Sequence, residues 1–166
     1  VTTEILRTYR APRNVMRRLL ASLERDERPE ARSLVILLLG CFIVFVSAVP
    51  FALEGGEPWP AEAPVQMRLA NTFFAWMFIV PLLLYGIAGL SHLLARILGG
   101  RGSFQTARAA LFWTVLAVSP LMLLNAMVAR FIGDGVQATV TGVVILVVFL
   151  AIWVISLIEA ERSVAS

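Results

Sequence analysis

Few side chains in this sequence are equipped for chemistry, and their spacing serves it badly. His92 is the only histidine and Cys41 the only cysteine. A zinc site needs about four converging nitrogen, sulfur or oxygen ligands, and no further pair stands out to complete one. Ser91 precedes His92, but neighbours on a helix point about 100° apart, a poor arrangement for a nucleophile and its base. Glu54, Glu57 and Glu62 share a short stretch without the spacing of a calcium loop. Gly99-Gly100-Arg101-Gly102-Ser103 has the look of a phosphate cradle but lacks the lysine and the glycine spacing of a nucleotide loop. It reads better as a turn between helices, with glycine closing one helix and Ser103 capping the next at Phe104. We expect no catalytic residue, no metal site and no cofactor.

The elements that would position these groups follow from composition. The 166 residues are 59% hydrophobic and 15% charged, with a mean hydropathy of +0.84. That excludes a disordered chain and a basic nucleic-acid-binding domain, so no nucleic acid is expected as a partner. The charges avoid four stretches, 33–53, 69–95, 109–129 and 135–158, of 21, 27, 21 and 24 residues. About 20 apolar residues cross a bilayer core of about 30 Å. The expected fold is all-α, a multi-pass transmembrane helical bundle of four spans. It divides into an N-terminal segment, 1–32, a membrane domain, 33–158, and a short polar tail, 159–166.

All 14 basic residues are arginines. The N-terminal segment holds eight and the 96–108 connector three, whereas the 52–68 connector holds only Arg68. The positive-inside rule then places the N-terminus, the 96–108 connector and the C-terminus in the cytoplasm. After Pro12, which suits a first helical position, Val15, Met16, Leu19, Leu20 and Leu23 form one apolar face. Two compatible arrangements fit this amphipathic helix: flat in an anionic leaflet as an interfacial helix, and packed under the bundle. Arg13, Arg17, Arg18, Arg96, Arg101 and Arg108 are the expected contacts to anionic lipid.

Inside the spans the readable features are architectural. Pro81 and Pro120 predict kinks near the middles of the second and third spans. Gly86 and Gly89, with Ala88 between them, predict a close helix approach. No Asp or Glu lies in any span, which removes the usual proton relay. Asn125 is the most demanding intramembrane side chain, with Thr114, Ser119 or a carbonyl freed by Pro120 as its expected partner. Trp113 and Trp153 suit an interfacial belt.

The run Ala11-Pro12-Arg13-Asn14-Val15-Met16-Arg17-Arg18-Leu19 resembles the segment before the first span of bacterial Yip1-domain proteins. Leu94-Ala95-Arg96-Ile97-Leu98-Gly99-Gly100-Arg101-Gly102-Ser103-Phe104, followed by a span with a central proline, Pro120, resembles the same family. The resemblance covers most of the chain, although many members are drawn with five spans and this chain shows four. It implies architectural roles for Pro12, Arg13, Gly99, Gly100, Gly102, Ser103 and Pro120. Eukaryotic members bind small trafficking GTPases and shape or sort membranes. For this chain the expectation is a non-enzymatic accessory subunit or assembly factor, with other membrane-protein subunits as partners. The alternative is a small transporter or lipid-handling protein, since prolines in two central spans resemble the broken helices of substrate sites.

Overall fold

The structure is a computed structural model that describes residues 2–55, 59–60, 62–100, 102–132 and 135–162. Among the described residues seven α-helices follow one another, α1 (Thr2–Thr8), α2 (Pro12–Glu24), α3 (Pro29–Glu54), α4 (Val65–Phe74), α5 (Val80–Ile97), α6 (Phe104–Ile132) and α7 (Val136–Arg162). The π-helical segment Ala75–Ile79 joins α4 to α5 without a break. Among the described residues four helical units are long and apolar enough to cross a membrane: Pro29–Glu54, Val65–Ile97, Phe104–Phe131 and Val136–Arg162.

The helices outrun the charge-free stretches because helical hydrogen bonding does not stop where hydrocarbon does. α3 begins at Pro29, in the first-turn position where a missing N–H costs nothing. The Asp26 carboxylate accepts the Arg28 N–H at 3.0 Å just before it. That backbone bond, followed by the Arg32 side chain, holds the Asp26 carboxyl below its ordinary range. Arg68 lies inside α4, where its Nη2 donates to the Leu53 carbonyl at 3.0 Å and ties the start of the second span to the end of the first.

Each central proline is accommodated differently. Pro81 cannot donate to the helical ladder, and the turn before it widens: the Val80 N–H reaches Ala75 O, five residues back. At Pro120 the orphaned acceptor is Leu116 O, four residues back, and Ser119 Oγ donates to it at 2.9 Å. Other hydroxyls within the spans also turn to their own helix: Ser47 to Val44 O, Thr72 to Arg68 O, Ser91 to Ile87 O and Thr114 to Ala110 O.

α6 is the central helix and packs most extensively against α3 and α7, then α5. Half of its most apolar window is buried, against 11% for the second span and 17% for α7. Gly40 of α3 makes the closest approach: a Cβ there would lie 3.1 Å from the Leu116 N of α6. The small-residue pair expected for that role behaves otherwise. A Cβ on Gly86 would meet nothing, and one on Gly89 would meet only the Phe104 ring, at 3.2 Å.

The amphipathic α2 spends its apolar face on the bundle, so the packed arrangement that the sequence allowed is present. Val15, Met16, Leu19, Leu20 and Leu23 are all buried in one cluster with Ala109, Ala110, Trp113, Leu116 and Ala160. Arg17 pairs with Glu159, and four residues earlier Arg13 lines a small cleft with Ile155. Matching four-residue steps mean that α2 runs alongside the last turns of α7 in the same direction. α1 goes deeper. The Trp113 Nε1 donates to Thr8 Oγ1 at 3.1 Å, and the Tyr9 hydroxyl donates to Ala117 O. Trp113 is therefore buried under α1 instead of standing in a lipid-facing belt.

Replacing Gly40 with Leu should lower the thermal stability of the detergent-solubilised chain by about 1–3 kcal/mol, because the α3–α6 backbones would have to separate. Unfolding followed by circular dichroism checks this; the same change at Gly86 should leave the transition within about 0.5 kcal/mol.

Candidate functional site

A polar cluster sits where α5 ends, α6 begins and the last turns of α7 run beside the middle of α2. α5 closes with Gly99 in the left-handed region, φ +89°, which spares it the Cβ penalty. The Gly100 N–H then reaches Ala95 O at 2.8 Å and the Gly99 N–H reaches Arg96 O at 3.1 Å, a complete six-to-one and five-to-two closure. α6 opens on Ser103, whose Oγ accepts the Thr106 N–H at 3.2 Å while Thr106 Oγ1 accepts the Ser103 N–H at 3.0 Å.

Between these two ends lies the carboxylate of Glu161. Its Oε2 accepts the Gly102 N–H at 2.8 Å, and its Oε1 lies 3.2 Å from His92 Nδ1, which donates to it when protonated at that nitrogen. A Cβ on Gly100 would fall 2.5 Å from Glu161 Oε2, and one on Gly102 would fall 2.8 Å from its Cδ. The glycine pattern that suggested a phosphate cradle thus encloses a carboxylate of the chain itself. Glu159, only 4% exposed, pairs with Arg17 in the same region.

Neither carboxylate stands out in the sequence, where both fall in the polar tail beyond residue 158. A signal is present nonetheless. Ile145, Ile152, Ser156 and Glu159 fall at intervals of seven, four and three, the buried stripe of α7. Glu159 continues that stripe, and the helix runs to Arg162.

The arginines expected at lipid divide into two kinds. Arg108 is committed inside the chain and is not a free headgroup contact. Its side chain is 11% exposed, its Nη2 lies 2.5 Å from Glu30 Oε1, and its guanidinium sits 4.7 Å from the Phe104 ring centroid and 5.5 Å from that of Tyr85. Arg17 is engaged by Glu159, and Arg18 approaches Glu4 at 3.9 Å. Arg13 and Arg96 make no ion pair among the described residues, and Arg101 lies outside them. Pro12 opens α2. Asn125 does not find the partners expected of it: Thr114 and Ser119 bond their own helix, and Asn125 Oδ1 is buried without a hydrogen bond.

Sequence comparison supplies the family. The Yip1 domain profile matches residues 6–163, which takes in the N-terminal helices, all four spans and the carboxylates of α7. The chain belongs to the Yip1 domain family. No curated protein and no solved structure matches it. In this Yip1-domain protein the matched region begins within α1, so the N-terminal hairpin is part of the domain. The two segments that carried the resemblance, 11–19 and 94–104, are brought to the same end of the bundle, one beside Glu159 and the other around Glu161. Among the described residues no three His, Cys, Asp or Glu side chains converge.

A cleft of about 580 Å³ separates α5 from α7, lined mainly by apolar side chains including Leu94, Leu98, Trp153 and Leu157, with Glu161 and Arg162 at its polar end. It exists because these two helices hardly touch, each resting separately on α6.

Gly100→Ala and Gly102→Ala should each destabilise the protein by about 1–3 kcal/mol, because the added methyl group displaces the Glu161 carboxylate or the turn. Thermal unfolding in detergent checks this, and Glu161→Ala combined with Gly102→Ala should lose less than the sum, since the clash is gone.

Proposed function

We propose that this Yip1-domain protein is a non-enzymatic scaffold of a bacterial inner membrane, acting as an accessory subunit or assembly factor of a larger membrane complex. The observation that carries this reading is the uneven packing of the bundle. α3 and α6 close on each other, while the second span and α7 leave most of their apolar surface outside, Leu82 at 74% and Val147 at 59% exposed among them. On these outer surfaces a methyl group added at Gly86 or Gly142 would meet nothing within 4 Å, and that open space suits a neighbouring helix at short range. Ser47, Thr72, Thr114 and Ser119 bond their own helices, and that supports a structural bundle over a polar conduit.

On the same reading the end that carries α1, α2 and the 99–103 turn faces the cytoplasm, together with the C-terminal end of α7. Arg13, Arg96 and Arg101 would meet anionic lipid there, and the 52–68 connector, with its carboxylates, would lie outside. A transporter or lipid-handling role is favoured by one observation, the unpartnered Asn125 Oδ1 within α6. None of the clefts described above is lined by Asn125.

Purification in mild detergent followed by mass spectrometry should recover the chain with other membrane proteins, and Gly86→Leu or Gly142→Leu should release them while leaving the fold intact. A free monomer in every mild detergent contradicts the scaffold reading. Alkaline phosphatase fused after Trp59 should be active, and the same enzyme fused after Gly100 should be inactive; the reverse pattern contradicts the orientation.

A further inference from the structure

The cleft between α1 and α2 has a composition that the packing of the bundle does not use. It encloses about 700 Å³, and its walls include Leu6, Arg7, Tyr9, Arg10, Asn14 and Arg18. Three guanidinium groups border one cavity. Glu4 is the acid paired with them, its Oε1 lying 2.9 Å from Arg7 and 3.9 Å from Arg18. Arg10 makes no ion pair among the described residues, so the cleft keeps an excess of positive charge.

Its position gives that charge a partner. The Thr8 and Tyr9 side chains hydrogen-bond to Trp113 and Ala117, four and eight residues into the charge-free stretch that begins at Ala109. At 1.5 Å per residue these anchors stand about 6 and 12 Å inside the edge of the apolar block. Leu6, 66% exposed, stands beside the arginines. One cavity therefore presents apolar surface and arginine side chains together, at an end of the bundle where it reaches from the edge of the apolar block into it.

We propose that this cleft binds the headgroup of an anionic phospholipid. Its phosphate oxygens take N–H donors from Arg7, Arg10 and Arg18, the Asn14 amide serves the remaining headgroup oxygens, and an acyl chain lies against Leu6. Arginine is suited to the task, since its planar fork engages two phosphate oxygens at once. The exposed Leu6 and the depth of the anchors select a lipid over a soluble phosphate. This site deepens the anionic-lipid contact of the proposed function and rests on that membrane placement, but it moves the contact from scattered arginines to one cavity.

The test uses the full chain in non-ionic detergent, titrated with phosphatidylglycerol and separately with phosphatidylcholine, with bound lipid counted by native mass spectrometry. Phosphatidylglycerol should be retained in preference. Arg10→Gln, which breaks no ion pair, should weaken its retention about five-fold, the effect expected of one arginine at a membrane surface. The triple variant R7Q/R10Q/R18Q should abolish the preference, and R25Q/R162Q, at the same end but outside the cleft, should keep it. Unchanged retention in Arg10→Gln and in the triple variant overturns the site; if R25Q/R162Q instead loses the preference, the contact is one of general surface charge and the cleft is overturned. No preference in the unaltered chain overturns both. Displacement of the lipid by millimolar inorganic phosphate overturns the lipid assignment in favour of a soluble phosphate.

Discussion

A carboxylate taken out of water must be met by donors, and in this protein two of them stand on the last turns of a membrane span. Glu159 and Glu161 are 4% and 8% exposed. Leaving either unpaired would cost several kcal/mol, more than most single contacts return. The donors come from distant parts of the chain: Arg17 from α2, His92 from α5 and the Gly102 N–H from the turn before α6. The end of α7 therefore fixes where the N-terminal helix stands, how α5 closes and how α6 begins. The glycines at 100 and 102 follow from this, since a side chain at either position would occupy the space of the Glu161 carboxylate.

α6 supplies the rest of the organisation. It is the most deeply buried of the spans; α3 and α7 lean on it separately, and the second span rests on both α3 and α6. Its first half is covered by α1 and α2, which add buried side chains at one end of the bundle and nothing at the other. The bundle is thus broader at the arginine-rich end. The five buried side chains of α2 each contribute roughly 1.5–3 kcal/mol relative to exposure in water.

The parts legible in the sequence are those set by solvation alone. Charge-free length marks four spans because ionised side chains are expensive in hydrocarbon, and the Gly99 and Ser103 turn chemistry is local. The face Val15, Met16, Leu19, Leu20 and Leu23 is readable too, but not its destination, since an apolar stripe is served equally by a lipid surface and by a groove on α6. The spacing of Gly86 and Gly89 suggests close approach, whereas Gly40 makes it; glycine spacing reports that a helix is able to approach, not which neighbour arrives. Glu159 and Glu161 are hidden by their polar context at the end of the chain, and the π-helical turn before Pro81 depends on backbone bonding that no side-chain pattern records.

The most direct measurement is a double-mutant cycle on thermal unfolding in detergent, with Glu161→Gln and His92→Phe singly and together. A carboxylate that holds α5 to α7 through His92 predicts a coupling energy on the order of 1 kcal/mol, so the double variant loses less than the sum of the single ones. Additive losses, within about 0.3–0.5 kcal/mol, would mean that the two side chains act independently and would contradict the account.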